Sequence, residues 1–266
     1  VMVMLNENGK FRNASSDYKT DDLKGWWYSV EVADINMDDK PDVILGNLGM
    51  NTKFSASKKK PFNVFANDFD KNGSIDIVLS KEYQGKLVPA RGRQCSSEQM
   101  PYIKSKFPTF KEFASSDLED IYGEKNLEEA LHLQVNTFKS QVLINQGSSF
   151  KAMPLPILAQ KAPINSIIVK NINDDEYPDL IIAGNMYGAE VETPRYDAGT
   201  GQVLLGNGDG TFKAVPVWKS GLYAAGNVKN VAWIKTSGAP LLVVANNDDK
   251  MSVFRFDANN LSELAL

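Results

Sequence analysis

Short apolar runs alternate along the chain with short polar runs rich in Asp, Asn and Gly. Runs of this length, β-branched or aromatic and bounded by turn formers, predict strands. Three segments align without gaps in their turns: VEVADINMDDKPDVILGN from Val30, NVFANDFDKNGSIDIVLS from Asn63 and SIIVKNINDDEYPDLIIAGN from Ser166. Tyr28, Val30 and Val32 lead into the first turn, Phe62, Val64 and Phe65 into the second, and Ile167, Ile168 and Val169 into the third. Val43, Ile44 and Leu45 lead out of the first, Ile75, Ile77, Val78 and Leu79 out of the second, and Leu180, Ile181 and Ile182 out of the third. Each segment therefore predicts a hairpin with a long acidic turn.

A second kind of hairpin follows. GQVLLGNGDGTFKAVPV from Gly201 places two strands around Asn207-Gly208-Asp209-Gly210, a tight-turn signal. QVLINQGSSFKAM from Gln141 and the opening VMVMLNENGKF have the same shape, ending in Phe150 and Phe11 where the first ends in Phe212. Two hairpins in series predict a four-stranded unit of the size of a propeller blade. VAWIKTSGAPLLVVANND from Val231 keeps both strands of the acidic hairpin, with Trp233, Lys235 and Ser237 where acids would stand. The expected fold is all-β: a β-propeller of four-stranded blades in one domain over residues 1–266, with about four or five blades recognisable, as a small ring or as part of a larger one. Between the second and third acidic turns, at about residues 97–133, composition shifts to Lys, Glu, Leu and Ala. Leu127, Ala130 and Leu131 fall at helical spacing opposite Glu128 and Glu129, and Pro101 and Pro108 punctuate the stretch, so short helices are expected there.

The acidic turns carry the candidate chemistry. Side-chain oxygens at alternate positions of a tight loop converge on one point, and a calcium ion takes 6–8 oxygens at about 2.3–2.6 Å. Counting from the first acid or amide, the first turn offers Asp34, Asn36, Asp38 and Asp42, with the Lys40 carbonyl at position 7. The second offers Asp68, Asp70, Asn72 and Asp76, with the Ser74 carbonyl. The third offers Asn171, Asn173, Asp175 and Asp179, with the Tyr177 carbonyl. These are not EF-hands, which need flanking helices and a Glu at position 12. Here that position is Leu45, Leu79 or Ile182. The second turn has Gly73 at position 6 and ranks tightest; the third has fewest carboxylates and ranks weakest. The plain alternative is an Asx-rich turn without metal. Bound calcium would be structural, turning carboxylate repulsion into a link between two strands.

Composition narrows the partners. The chain has 29 Lys+Arg against 33 Asp+Glu, a formal net charge of −4, which argues against a nucleic-acid surface. No apolar run is long enough to cross a bilayer as a helix. Cys95 stands alone, so no internal disulfide framework is expected. His132 stands alone too, which excludes a two-histidine zinc motif. No signal peptide is visible after Val1, so the chain is read as mature or as a fragment of a longer polypeptide with further domains.

At these turns the sequence resembles the FG-GAP/VCBS repeat proteins, whose repeats place a D-x-D/N-x-D/N-G-x-x-D loop between two strands. DFDKNGSID from Asp68 is a close match, while DINMDDKPD and NINDDEYPD match in spacing and depart at the Gly. The stretch from GNLG at Gly46 through FPTFKEFASSDLEDIYG to LLGNGDGTF looks like Bacteroidetes-type surface proteins that carry these repeats beside an ASPIC-type domain, similar to cartilage acidic protein homologues. The resemblance implies a β-propeller, calcium binding, and extracellular adhesion or ligand recognition. It does not imply one chemistry.

A search for catalytic motifs is mostly negative. There is no G-x-S-x-G elbow and no P-loop, and Gly206, Gly208 and Gly210 sit in a hairpin turn rather than before a helix. Cys95 lies near Arg91 and Arg93, whose charge acts to lower a thiol pKa, but a buried or incidental cysteine is the favoured reading. His132 reads as a helix-end residue. Glu190 and Glu192, near Arg195, form the best leftover acid cluster, and Trp26 and Trp27 offer either an aromatic platform for sugars or core. Two readings stand. One is a non-catalytic, calcium-stabilised binding, adhesion or scaffold domain of an extracellular, cell-surface or periplasmic protein, recognising a glycan or protein ligand. The other is a propeller-fold carbohydrate-active enzyme using carboxylates near the helical insertion.

Overall fold

The structure is a computed structural model, and it describes residues 1–255. The strands in chain order are β1 (Met4–Glu7), β2 (Lys10–Asn13), β3 (Ser29–Ala33), β4 (Asp42–Gly46), β5 (Phe62–Asn67), β6 (Asp76–Tyr83), β7 (Lys86–Pro89), β8 (Leu131–Val135), β9 (Gln141–Asn145), β10 (Phe150–Pro154), β11 (Ser166–Lys170), β12 (Asp179–Ala183), β13 (Gln202–Gly206), β14 (Phe212–Val215), β15 (Val228–Ile234), β16 (Leu241–Asn246) and β17 (Ser252–Arg255). Helices are few and short: α1 (Arg93–Gln99), α2 (Tyr102–Lys106), α3 (Phe110–Ala114), α4 (Leu118–Tyr122), α5 (Glu124–Glu128) and α6 (Val217–Ser220). The described residues are thus mostly β, in five small antiparallel sheets.

The chain divides into two compact units. One contains residues 1–52, 138–189 and 195 onward; the other contains residues 53–137 and 190–194.

In the first unit, β1 and β2 pair alone, and three further sheets follow the orders β10-β9-β4-β3, β11-β12-β13-β14 and β15-β16-β17. The two four-stranded sheets share one register. Ala33 pairs with Asp42 as Lys170 pairs with Asp179. Val43, Ile44 and Leu45 face Leu143, Val142 and Gln141 as Leu180, Ile181 and Ile182 face Leu204, Val203 and Gln202. Phe150 lies opposite Asn145 as Phe212 lies opposite Gly206. The acidic hairpin of residues 30–46 therefore takes its partner hairpin from residues 141–154, across a long insertion, and not from the next acidic hairpin in the chain.

The sheets pack face to face. Leu180, Ile182 and Leu204 point into a core with Ile44, Val142 and Ile167. Their neighbours Ile181, Val203 and Leu205 point the other way, into a core with Val231, Leu242 and Val244. The β11–β14 sheet is covered on both faces, which is why β12 and β13 read as unbroken apolar runs rather than as alternation. Leu180 and Leu204 are fully buried, each contributing about 2–3 kcal/mol by transfer from water.

The strand ends are fastened by a Gly-Asn pair repeated in both sheets. A Cβ on Gly46 would lie 2.4 Å from the Ile164 carbonyl oxygen, and one on Gly184 would lie 2.0 Å from that of Pro163, so no side chain fits at either position. The following Asn47 and Asn185 are completely buried. Asn185 Nδ2 donates to the carbonyls of Gly199, Ala225 and Gly226 at 3.0, 3.1 and 2.9 Å, and its Oδ1 accepts from Gly199 N–H at 2.9 Å.

The second unit holds the sheet β7-β6-β5-β8. Its acidic hairpin β5–β6 has the same register as the other two, with Asn67 opposite Asp76. Helices α1–α5 close one face through Phe65, Phe69, Val78, Met100, Ile103 and Ile121. Two of these helices begin with a full capping box, Thr109 with Glu112 and Asp117 with Asp120. The expected helices therefore form, starting at Arg93. Leu131 and His132, expected at a helix end, instead belong to β8, where His132 pairs with Phe65. Ala130 ends the helical spacing and the β-branched and leucine pattern of LHLQV takes over.

Asn185→Ala should destabilise the chain by about 2 kcal/mol, because the half-buried Gly199 loses a partner at both its carbonyl and its N–H, while the Ala225 and Gly226 carbonyls keep the Tyr187 hydroxyl and the Val228 N–H. Urea unfolding would measure this, and a loss below about 1 kcal/mol would show that the amide does not hold these loops.

Candidate metal centre

All three acidic turns are flanked by strands, and each is closed by the same staple. The acid at position 9 accepts the N–H of position 2 through Oδ2: Asp42 from Ile35 at 2.9 Å, Asp76 from Phe69 at 3.1 Å and Asp179 from Ile172 at 2.7 Å. The position 2 side chains are buried in the core. One apolar residue in an otherwise polar turn therefore anchors the loop, and the acid locks that anchor's backbone. The other oxygen differs. Asp42 Oδ1 accepts from Asn145 N–H at 2.7 Å and Asp179 Oδ1 from Gly206 N–H at 2.8 Å, both at the end of the third strand of their sheet. The second unit has no such strand beneath its turn, and Asp76 Oδ1 accepts from the Gln99 side chain of α1 at 3.0 Å.

The tips of the first two turns also match. Asp34 accepts from Asp38 and Asp39 N–H at 3.1 and 2.8 Å, and Asp68 accepts from Asn72 and Gly73 N–H at 2.9 Å each. In all three turns the position 7 N–H, of Lys40, Ser74 or Tyr177, donates to the side chain at position 5. Position 4 is left-handed in each, at Met37, Lys71 and Asp174. Position 6 is left-handed only in the first two, at Asp39 (φ 61°) and Gly73 (φ 89°). The third turn departs there, at Glu176. Its Asn171 also reverses the tip pattern, donating from Nδ2 to the Asp175 carbonyl, while Asn173 Nδ2 donates to Asp175 Oδ2.

Among the described residues, one cluster of three acids brings a ligand oxygen from each within 4.8 Å of the others: Asp68, Asp70 and Asp76. Such spacing suits hard oxygens on a shell of about 2.3–2.6 Å radius. The donors are all oxygen, so the set fits calcium or magnesium rather than a soft transition metal. In the first turn Asp34, Asn36 and Asp38 converge: the Asn36 amide lies 3.1 Å from Asp34 Oδ1 and from Asp38 Oδ1. The Asn36 amide, turned with its nitrogen toward them, donates to both carboxylates. Lys40 Nζ already neutralises Asp38 at 3.0 Å, and that hydrogen bond holds the Asp38 carboxyl below its ordinary range. The structure does not bring Asp42 into a three-acid cluster with Asp34 and Asp38.

Burial pushes the Asp42 and Asp179 carboxyls above their ordinary range, against the backbone N–H groups that favour the charged form. An acid raised on folding binds more protons folded than unfolded, so its charge costs stability at neutral pH and the cost is relieved as pH falls through the folded value. Positive charge placed nearby relieves the same cost at neutral pH.

The remaining acids are committed. Within the second unit Glu190 lies 2.6 Å from Arg91 Nε, a close ion pair not aligned as a hydrogen bond, and 3.3 Å from Lys53 Nζ. It also accepts from Thr193 Oγ1 at 2.6 Å. Burial acts to raise its carboxyl, but Thr193 and Arg91 hold it below the usual range. Glu192 accepts from the Gly92 and Cys95 N–H groups at 2.9 and 3.4 Å, at the start of α1. Arg195 does not join them; it pairs with Asp197 at 3.5 Å and lies over the Tyr187 ring. Cys95 Sγ donates to Glu190 Oε2 at 3.4 Å, and burial together with that acid pushes the thiol up to about 11. The arginine effect expected from the sequence is outweighed. His132 stacks on Phe65 at 4.2 Å, and its Nε2 lies 2.9 Å from Asn63 Oδ1. Trp26 and Trp27 lie outside the strands and are half-buried, Trp26 edge-on to Phe138 at 5.3 Å.

Compared with known proteins, the chain matches no family model, and no curated protein is similar to it.

Two outcomes are expected. Asp39→Gly should stabilise the chain by about 0.5–1 kcal/mol by relieving a left-handed non-glycine residue, whereas Glu176→Gly should cost a similar amount; thermal melting of both variants checks this. Cys95 should react with iodoacetamide at pH 8 on the order of tenfold or more slower than a free thiol, and a rate equal to free cysteine would show that the thiol is neither buried nor held by Glu190.

Proposed function

We propose that the chain is a calcium-stabilised, non-catalytic binding or scaffold domain of an exported protein, of FG-GAP/VCBS type, recognising a glycan or protein ligand. The observation that carries the reading is the convergence of Asp68, Asp70 and Asp76 in a turn whose strand register and closing staple recur in two other hairpins. The stacking of the β11–β14 sheet between two others supports blades of a propeller, since blades bury both faces against their neighbours. Val30 and Val32 on β3, and Val253 on β17, remain exposed, as outer faces would that further blades or domains of a longer polypeptide cover. Sites with few charges bind calcium at about 10⁻⁴–10⁻³ M, which suits an extracellular, cell-surface or periplasmic location. No described helix is long and apolar enough to cross a membrane.

A second reading, a propeller-fold carbohydrate-active enzyme, is favoured by one feature: a cleft of about 610 Å³ in the second unit that gathers Asp117, Glu119, Glu124 and Glu128. Asp117 is tied to Lys86 at 2.8 Å and caps α4, so it is not free for proton transfer. Polysaccharide hydrolysis abolished by Glu119→Gln or Glu124→Gln would establish this reading in place of the first.

Millimolar calcium should raise the melting temperature of the chain, and EDTA should lower it. At 1 mM calcium a Kd of about 10⁻⁴ M is worth about 1.4 kcal/mol. Asp70→Ala should remove most of that shift, because Asp70 contributes an oxygen to the cluster while carrying only one long hydrogen bond, to Asn72 N–H at 3.2 Å. Identical melting curves in calcium and in EDTA, with no calorimetric heat, would overturn the metal assignment.

A further inference from the structure

The second unit has another cleft, of about 490 Å³, that the acidic turns do not use. It lies along β6, β7 and helices α1 and α3, with Phe113 in its buried floor. Three cations line it, Lys81, Arg91 and Arg93, and no carboxylate among the described residues does. That is the opposite sign to the chain as a whole, at net −4, and to the acid-lined cleft in the same unit. Two aromatic rings stand exposed in it, Tyr83 at 59% and Phe110 at 64%.

The cations are not equivalent. Arg91 is paired with Glu190. Lys81 is exposed on β6. Arg93 is held in place: its Nε donates to the Phe107 carbonyl at 2.6 Å and an Nη donates to that of Lys104 at 3.3 Å. The guanidinium carbon lies 5.2 Å from the centre of the Phe110 ring. Glu112 feels the Arg93 charge, but its carboxylate is folded into the capping box with Thr109. The cleft therefore presents a fixed guanidinium stacked on one face of Phe110, an exposed ammonium, and the exposed rings of Tyr83 and Phe110. A ligand that satisfies it carries an anionic group for Arg93 and Lys81 and a ring with an apolar face for Tyr83 and Phe110. Inorganic anions and peptides of Asp and Glu alone lack the ring. A pyranose bearing a carboxylate or sulfate has both.

We infer that this cleft binds an acidic saccharide, a sugar ring carrying carboxylate or sulfate, through Lys81, Arg93, Tyr83 and Phe110. The inference rests on the reading of the chain as a ligand-binding domain and narrows its ligand.

The test uses the full chain in calcium-containing buffer, titrated calorimetrically with an oligogalacturonate, a heparin-derived oligosaccharide, a neutral oligosaccharide of equal length and a poly-glutamate peptide. Lys81→Glu and Phe110→Ala alter exposed side chains, and unchanged melting temperatures confirm that both variants fold. The expected result is binding of at least one acidic saccharide, about tenfold weaker for the neutral one and weakened about tenfold by each substitution, with affinity falling as salt rises. Preference for the uronate or for the sulfated probe identifies the anionic group. Neutral sugar binding that Lys81→Glu leaves intact would overturn this site while leaving the ligand-binding reading in place. Poly-glutamate binding insensitive to Phe110→Ala would overturn the saccharide assignment. Binding of no probe would overturn the inference, and calcium-dependent melting measured on the same samples would show whether the stabilised-domain reading survives it.

Discussion

Each acidic turn depends on one buried carboxylate that bonds backbone on both sides of a hairpin. Asp42 and Asp179 hold the N–H of a core-anchored residue two places into the turn and the N–H at the end of a neighbouring strand. A long polar loop would otherwise be loosely placed. With its second residue buried and its last residue bound to two strands, the loop becomes part of the sheet. The oxygens of positions 1, 3 and 5 are then left at the tip, fixed in direction and close together. On the proposed reading, metal affinity in such a loop would follow from turn closure and not cause it.

The same logic explains why the three turns are not equal. In the first unit both oxygens of the closing acid are taken by main-chain donors, one in the turn and one at the end of a neighbouring strand. In the second unit the third strand is missing beneath the turn, and a side chain, Gln99, replaces a backbone N–H. Asp76 is the one closing acid found, among the described residues, in a cluster with two acids of its own turn, Asp68 and Asp70. The first turn instead carries its own cation, Lys40, against Asp38. The third has amides where charge is needed and uses them as donors within the loop. Charge count alone ranks the first two turns together; the protein around them separates them.

Much of this was legible in the sequence. The spacing of Asp and Asn between β-branched runs located all three turns and both kinds of hairpin, because local turn chemistry and strand composition act over a few residues. Ile35, Phe69 and Ile172 were also legible as apolar residues inside polar loops, a signal that ligand spacing hides by directing attention to alternate positions. What could not be read was which hairpins pair. The partner of residues 30–46 lies about a hundred positions away, and nothing local distinguishes QVLIN from any other strand. The Cys95–Glu190 contact is similarly remote, so the sequence supports an inert thiol but not the acid that holds it. His132 was misplaced because helical spacing in NLEEALHL runs on past the residue where strand pairing with β5 takes over.

The division of labour between the two units follows from these constraints. In the first, both faces of the central sheet are buried, and the Gly-Asn pairs leave no room at the strand ends for a side chain, let alone a ligand. Variation there is expensive. In the second, one sheet face is covered by five short helices, of which α3 and α4 start at capping boxes and α1 starts against Glu192. Two clefts of opposite sign lie in that small unit, one lined by acids from α4 and α5, the other by cations from β6 and α1. A net charge of −4 for the whole chain conceals both. Specific recognition of a charged ligand depends on the local field of a cleft with low-dielectric walls, which average charge does not report. Side-chain choice is tolerated most on the helical face of the inserted unit, which is where the proposed ligand cleft lies, while both faces of the central sheet in the first unit are committed to packing.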